Sequence, residues 1–518
     1  MKTKNINKLF LLSIILLAIL MRLYPSNALS LWYDESFSII LAKKDLGNLL
    51  EIAKADVHPP LYYILLHFWL NIVMFPRLFS VLFSIVSIIL TYLIAKKAFG
   101  ERIALLTSFF LSISPTSVHY SSEIRMYALL LFFSLIATYF LLRFVSDKKK
   151  LNAVFYVFFS VCAYYTHYYA LFSIVAQLIY LISINAYHEN FIKRLKIALV
   201  IGCSILVLYA PWIKYFFTHT LTSTGSGAHA LPHSTNLDNI ANIILIFFLG
   251  EAKGLPLKPI FYFLYNYRLE SIYFLLILIL FILPLIYSIL LIRKKESDNN
   301  NEKICIVFST IIPLFLSGIL IFIGGRFYPR NLLIILPFYL MLLSYSIFSV
   351  KRILIRLLII LFITFYFSIS TVRYHKYFIR DVTGKTWDFL RYSDLRNTAI
   401  FCTNPFSYFP LSVYFKYSDP YVKEYNDLYL LNNEKVTYIN LLTIENGKLI
   451  RNKDFLKNFS SVWIVLSEWS IDDHLKEELK LVEKRWLDGK VWGKESEYPI
   501  GSVKRILMVK YNHIRHTE

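Results

Sequence analysis

The residues whose types invite chemistry lie in short polar motifs set between long apolar runs. The first is Leu31-Trp32-Tyr33-Asp34-Glu35, and the second is Ala55-Asp56-Val57-His58-Pro59-Pro60-Leu61-Tyr62-Tyr63. Adjacent carboxylates near a membrane span are often simply solvated. Here the flanks are aromatic and apolar, which implies a loop packed against a membrane surface, and a carboxylate in that setting is a candidate for acid–base work. Four further motifs follow: Arg77; Tyr120-Ser121-Ser122-Glu123-Ile124-Arg125-Met126-Tyr127-Ala128; Tyr165-Thr166-His167-Tyr168-Tyr169; and Arg326-Phe327-Tyr328-Pro329-Arg330. Arginine is suited to phosphate because its planar fork donates paired hydrogen bonds. An interfacial arginine also serves as a snorkelling anchor. Anchoring accounts for Arg77 or Arg326 better than for Arg125 and Arg330, which sit amid aromatic residues and prolines.

These motifs need elements to hold them, and the composition says what kind. Of the 518 residues, 57% are hydrophobic and 17% charged, against about 25% charged in soluble domains. The apolar residues gather in runs such as Leu9–Leu20, Leu78–Ala95 and Ile272–Leu291, near the ~20 residues that carry a helix across hydrocarbon. They lack the alternation of barrel strands, so an α-helical polytopic membrane protein is expected.

The net charge of +21 does not point to nucleic acid, because the basic residues cluster between apolar runs. The clusters are Lys2/Lys4/Lys8, Lys96/Lys97/Arg102, Arg143 with Lys148–Lys150, Lys193/Arg194/Lys196, Arg293–Lys295 with Lys303, and Lys351/Arg352/Arg356. The positive-inside rule puts all six in the cytoplasm, with the chemistry-bearing motifs on the opposite face. About eleven spans follow, at 8–24, 77–95, 103–119, 126–143, 151–166, 168–185, 196–213, 271–292, 304–323, 331–349 and 353–371, giving an N-terminus inside and a C-terminus outside. Residues 8–24 with Ser26-Asn27-Ala28 also fit a signal peptide; either way Leu31 emerges outside.

Residues 1–371 are thus expected to form the transmembrane region, which carries the candidate catalytic motifs, with outward loops at 25–76 and 214–270. Within these, 59–73 is expected to lie along the outer surface and Ile243–Leu249 to form a re-entrant or interfacial helix. Residues 372–518 are mixed in composition and read as a small extracytoplasmic α/β domain. Thr398–Cys402, Val462–Leu466 and Val503–Tyr511 have the pattern of strands, and Thr386–Arg391 and Leu475–Trp486 that of helices. The four scattered cysteines imply neither a disulfide framework nor a CxxC metal site.

Taken in order, Trp32-Tyr33-Asp34-Glu35, Asp56-Val57-His58-Pro59-Pro60, Arg77, Tyr120–Ala128, Tyr165–Tyr169, Pro211-Trp212 and Arg326–Arg330 resemble the GT-C superfamily. They are similar to motifs of the protein O-mannosyltransferases and of the bacterial transferases that add aminoarabinose to lipid A. The resemblance covers most of residues 1–371 and implies a GT-C fold. It also implies transfer of a sugar from a polyprenyl (dolichyl or undecaprenyl) phosphate to a protein, lipid or cell-envelope glycan. It puts Asp34 at the catalytic position, as the base that takes the acceptor hydroxyl's proton, with Glu35 as its neighbour and helper. Arg330, then Arg125, Arg326 and His58, are the candidates for binding the leaving phosphate. Asp56, Tyr63, Arg77, Glu123, Tyr127 and His167 are candidates for substrate binding or loop support. Some relatives hold a divalent cation near the first loop and others do not, so the metal is left open; His58, His167, His219, His229 and His233 are possible donors. A transporter or flippase of lipid-linked sugars is the alternative. It is disfavoured because no internal repeat is evident and the notable charges lie in loops rather than at mid-membrane.

Overall fold

The computed structural model describes residues 2–26, 31–184, 190–222, 282–294, 300–322 and 329–377, and beyond these six strands with Pro410, Leu411 and Val413. The chain divides into two compact units. One comprises Met1–Asn27 with Ala42–Phe378, the other Ala28–Leu41 with Ile379–Glu518.

The first unit is helical. In chain order it contains α1 (Lys2–Ser26), α3 (Leu46–Ala53), α4 (Leu61–Ile72), α5 (Pro76–Phe99), α6 (Glu101–Ile113), α7 (Pro115–Ser121), α8 (Tyr127–Asp147), α9 (Lys150–Thr166), α10 (Ala170–Ser183) and α11 (Phe191–Thr222). After these come α12 (Leu283–Lys294), α13 (Asn300–Phe322), a 3-10 turn at Pro329–Ile334, α14 (Leu336–Ser349) and α15 (Ile353–Tyr377). Among the described residues five segments are long and apolar enough to cross a membrane: Asn5–Leu23, Pro76–Phe99, Tyr127–Asp147, Asn300–Leu320 and Ile353–Val372. Ala170–Ser183, Leu283–Arg293 and Leu336–Ser349 are shorter apolar helices.

The segment 103–119, expected as one span, is two helices. Ser114 leaves the helical conformation and Pro115 occupies the first turn of α7. A proline is accommodated there because its missing N–H would be unbonded anyway, whereas in mid-helix it breaks the ladder. The tight turn expected between the fifth and sixth apolar runs is present, with α9 and α10 joined through residues 167–169.

The core lies along α8, which is buried over most of its length between α5 and α9. Phe140 stacks on Phe159 at 5.6 Å and packs at a tilt against Phe155 at 4.8 Å. By contrast, Leu9, Leu20, Leu354 and Phe365 on α1 and α15 are more than half exposed. Apolar surface left open in this way is what a helix presents to lipid. One polar contact inside the bundle is Gln177 Nε2 donating to Thr138 Oγ1 at 2.9 Å. At the helix ends, Lys97 of α5 donates to Ser146 of α8 (2.6 Å) and pairs with Glu302 of α13 (3.4 Å).

The second unit contains most of α2 (Tyr33–Ala42) and a six-stranded mixed sheet. The strands are β1 (Thr398–Cys402), β2 (Tyr429–Leu430), β3 (Thr437–Asn440), β4 (Ser461–Ser467), β5 (Trp492–Ile500) and β6 (Ile506–His513), in the order β2-β3-β1-β4-β6-β5. β1 runs parallel to β3 and β4, and the other pairs are antiparallel. Trp463 of β4 is buried opposite Lys510 of β6, whose ammonium lies 5.9 Å from the indole centroid. The strands expected at 398–402, 462–466 and 503–511 are thus β1, β4 and β6. The helices expected at Thr386–Arg391 and Leu475–Trp486, and the apolar stretch Ile243–Leu249, lie outside the described residues.

Candidate active site

Four helix breaks in the first unit bring the polar motifs together. After α3 the chain turns through Lys54–Asp56, and Pro59 and Pro60 precede α4. The residue before a proline is driven to extended backbone, so His58 is held between two helices rather than within one. After α7, Ser121 Oγ and Ser122 Oγ bond back to the carbonyls of Val118 and His119 at 2.6 and 2.9 Å. Such local bonds compete with the helix ladder, and Glu123–Met126 follow as a buried bend. His167 ends α9 in extended conformation. Pro329 opens the 3-10 turn that carries Arg330, and that turn packs on α7 and α8.

At their meeting point the rings of His58 and His167 lie 5.1 Å apart, tilted by 38°. His167 also approaches the Tyr127 ring at 5.9 Å, and the Arg330 guanidinium lies 5.5 Å from the Tyr127 centroid, within cation–π range. Arg125, itself buried, donates from Nη1 to Tyr63 Oη at 3.4 Å, and Tyr63 Oη donates to Asp56 Oδ2 at 2.7 Å. Ser80 Oγ of α5 holds the Glu123 carbonyl at 2.6 Å. Arg77, three residues earlier in α5, is half-buried.

Electrostatics give the cluster its character. Burial, followed by the positive charge of Arg330 and Arg125, pushes His167 down to about 3. Burial, Arg125, His167 and Arg330 together hold His58 well below the usual histidine range. The Tyr169 N–H donates to His167 Nδ1 at 3.1 Å, so the neutral ring carries its proton on Nε2 and offers that atom as a donor. His58 Nδ1 is buried with no hydrogen-bond partner among the described residues. Two guanidiniums with neutral imidazoles beside them favour an anion.

The charges of Arg125 and Arg330 would repel a divalent cation placed between the two histidines. Among the described residues no group of three or more His, Cys, Asp and Glu is placed to hold a metal.

The structure therefore gathers Asp56, His58, Tyr63, Arg125, Tyr127, His167 and Arg330, with Glu123 in the same bend as Arg125. Asp34 and Glu35 lie in the first turn of α2, in the second unit, where carboxylates complement the helix dipole. Glu35 is fully buried, and the Asp34 carbonyl accepts from Ser38 Oγ at 2.8 Å. Arg326 lies outside the described residues. Sequence reasoning passed over Arg22, a buried arginine inside the apolar run of α1. Its signal was available, since a charge within a membrane helix is costly and calls for a partner.

Residues 57–215 match the dolichyl-phosphate-mannose-protein mannosyltransferase family, a stretch that takes in His58, Arg77, Glu123, Arg125, Tyr127 and His167. The fold is similar to that of ArnT from Cupriavidus metallidurans bound to undecaprenyl phosphate. The TM-score is 0.51 at 12% identity, covering 97% of each chain. The archaeal oligosaccharyltransferase AglB from Archaeoglobus fulgidus, in complex with an inhibitory peptide and a dolichol-phosphate, matches with a TM-score of 0.49 at 11% identity. That match covers 99% of this chain and 75% of the other. No curated protein sequence matches the chain. The family match over residues 57–215 indicates a glycosyltransferase, and the apolar helices suit a multi-pass membrane protein. Within that class the chain is similar to the protein mannosyltransferases and to ArnT.

Proposed function

We propose that the chain transfers a sugar from a polyprenyl phosphate to a hydroxyl acceptor outside the cytoplasm, with inversion at the anomeric carbon. Asp34 takes the acceptor hydroxyl's proton while that oxygen attacks the anomeric carbon. The bond from that carbon to the phosphate oxygen breaks, and its electron pair leaves with polyprenyl phosphate. Arg125 and Arg330 neutralise the charge that grows on the phosphate, and His58 and His167 add neutral donors. Arg326 is a further candidate for the phosphate, and Glu35 assists Asp34. Asp56, Tyr63, Arg77, Glu123 and Tyr127 hold the loops or the sugar. The acceptor is a protein, a lipid or an envelope glycan. The chain runs N-terminus in and C-terminus out, with residues 1–371 catalytic and 372–518 an extracytoplasmic domain.

The observation that carries this reading is the convergence of Arg125 and Arg330 on a pair of histidines in ring contact, one of which has a buried ring nitrogen with no hydrogen-bond partner among the described residues. The test supplies purified protein and its Asp34→Asn variant with polyprenyl-phosphate hexoses and candidate acceptors. Loss of transfer by about a hundredfold or more, with undecaprenyl phosphate binding retained, supports Asp34 as the base. Full transfer by the variant removes it from that role.

A further inference from the structure

Arg22 belongs to α1 and is 0% exposed. Its five N–H groups all have acceptors. Nε donates to Ser84 Oγ (2.9 Å), Nη1 to the carbonyls of Ala18 (3.2 Å) and Ser112 (2.9 Å), and Nη2 to the Leu111 carbonyl (3.4 Å) and Ser117 Oγ (2.8 Å). A guanidinium has five donors, so none is left over for a substrate.

Three of these acceptors, the carbonyls of Leu111 and Ser112 and the hydroxyl of Ser117, flank the break between α6 and α7. A helix end leaves its last carbonyls without partners, and α6 ends at Ile113 with a proline two residues on. Arg22 covers the carbonyls of Leu111 and Ser112, and Thr371 Oγ1 of α15 covers that of Ile113 at 3.0 Å. The cation also complements the negative end of the α6 dipole. Through Ser84 and Ser117 the same side chain ties α5 to α7. From α7 the chain passes into the bend of Glu123–Met126, whose Glu123 carbonyl is held by Ser80, one turn of α5 before Ser84. The chain leading into the bend that presents Arg125 is therefore tied to α5 twice, at Glu123 directly through Ser80 and upstream at Ser117 through Arg22 and Ser84.

We infer that Arg22 is a positioning residue for the donor phosphate. Clamping the α6–α7 break to α1 and α5, it holds Arg125 at the distance and orientation that phosphate binding needs. The inference rests on Arg125 contacting that phosphate.

The experiment measures the dissociation constant of undecaprenyl phosphate for the full chain in detergent micelles. It compares the wild type, Arg22→Lys, Arg125→Gln and the double variant. Lysine keeps the charge but offers three donors from one point and cannot span Ser84, Ser112 and Ser117 together. Arg125→Gln is expected to weaken binding about tenfold, the usual size for a lost charged hydrogen bond. Arg22→Lys is expected to weaken it about fivefold, with no further loss when added to Arg125→Gln. A loss that multiplies in the double variant, or no loss in Arg22→Lys alone, overturns the inference while leaving the role of Arg125 intact. Wild-type binding by Arg125→Gln overturns both. Should Arg22→Lys fail to fold, Ser117→Ala, which removes only the bond into α7, must weaken binding in the wild-type background and not in Arg125→Gln.

Discussion

His167 accepts a hydrogen bond at Nδ1 and sits beside two guanidiniums, so adding a proton would place a third cation in a buried site. Its proton affinity is depressed in the folded chain, to about 3, against about 6.5 when unfolded. In that window the unfolded chain binds more protons, so stability falls as pH drops from about 6.5 toward 3 and is fully present above that range. The slope from this residue is about 1.4 kcal/mol per pH unit. Asn in its place keeps an acceptor within reach of the Tyr169 N–H and does not titrate. His167→Asn is therefore expected to flatten the fall of melting temperature between pH 6.5 and 4 in detergent; an unchanged slope would remove His167 as its source. Arg330 makes a different demand. A lysine there supplies charge but neither the flat face that lies over Tyr127 nor a fork for two phosphate oxygens. Arg330→Lys is expected to weaken undecaprenyl phosphate binding about tenfold with little change in melting temperature.

At the scale of elements, α4 is held by contacts at both of its ends. His67 Nδ1 bonds the Ala42 carbonyl at 2.8 Å, Trp69 Nε1 donates to the Phe75 carbonyl at 3.1 Å, and Tyr63 bonds back to Asp56. The Tyr63 hydroxyl is the link between this helix and Arg125 in the bend before α8. Tyr63→Phe is expected to lower stability by about 1–2 kcal/mol, since it strips a donor from the half-buried Asp56, and to weaken donor binding by loosening Arg125. A variant with wild-type melting and binding would show that the link carries nothing. Much of this was legible in the sequence because Asp56, His58, Arg125, His167 and Arg330 stand out as polar residues amid aromatic and proline-rich breaks. The α6–α7 break was not read, although Pro115 marks it, because the apolar run continues across it and hydropathy averages over a proline. Arg22 was missed for a related reason. Near the end of a span an arginine resembles a snorkelling anchor, and its partners Ser84, Ser112 and Ser117 are far away in sequence.

For the whole molecule, hydropathy and charge fix the helical class, and three of the six strands of the second unit, β1, β4 and β6, followed from short apolar or alternating runs, whereas β2, β3 and β5 were not read. Where polar loops pack was not legible, because side-chain bonds such as Ser80 to the Glu123 carbonyl, rather than periodicity, decide it. Sidedness is a separate question, on which the basic clusters make a testable prediction. Lys96, Lys97 and Arg102 flank the α5–α6 junction, and Arg143 with Lys148–Lys150 flanks the α8–α9 junction. If these face the cytoplasm, the chain between α4 and α5 faces the other way, since α5 is long and apolar enough to cross the membrane. Phe75, 65% exposed between α4 and α5, and Lys149, between α8 and α9, are suitable probes. In a chain whose own cysteines are replaced, Cys203 included because it is exposed, Phe75→Cys is expected to react with a membrane-impermeant maleimide on intact cells. Lys149→Cys is expected to react only after the membrane is opened. The reverse pattern would place the histidine and arginine cluster on the cytoplasmic side, where transfer to an external acceptor could not occur.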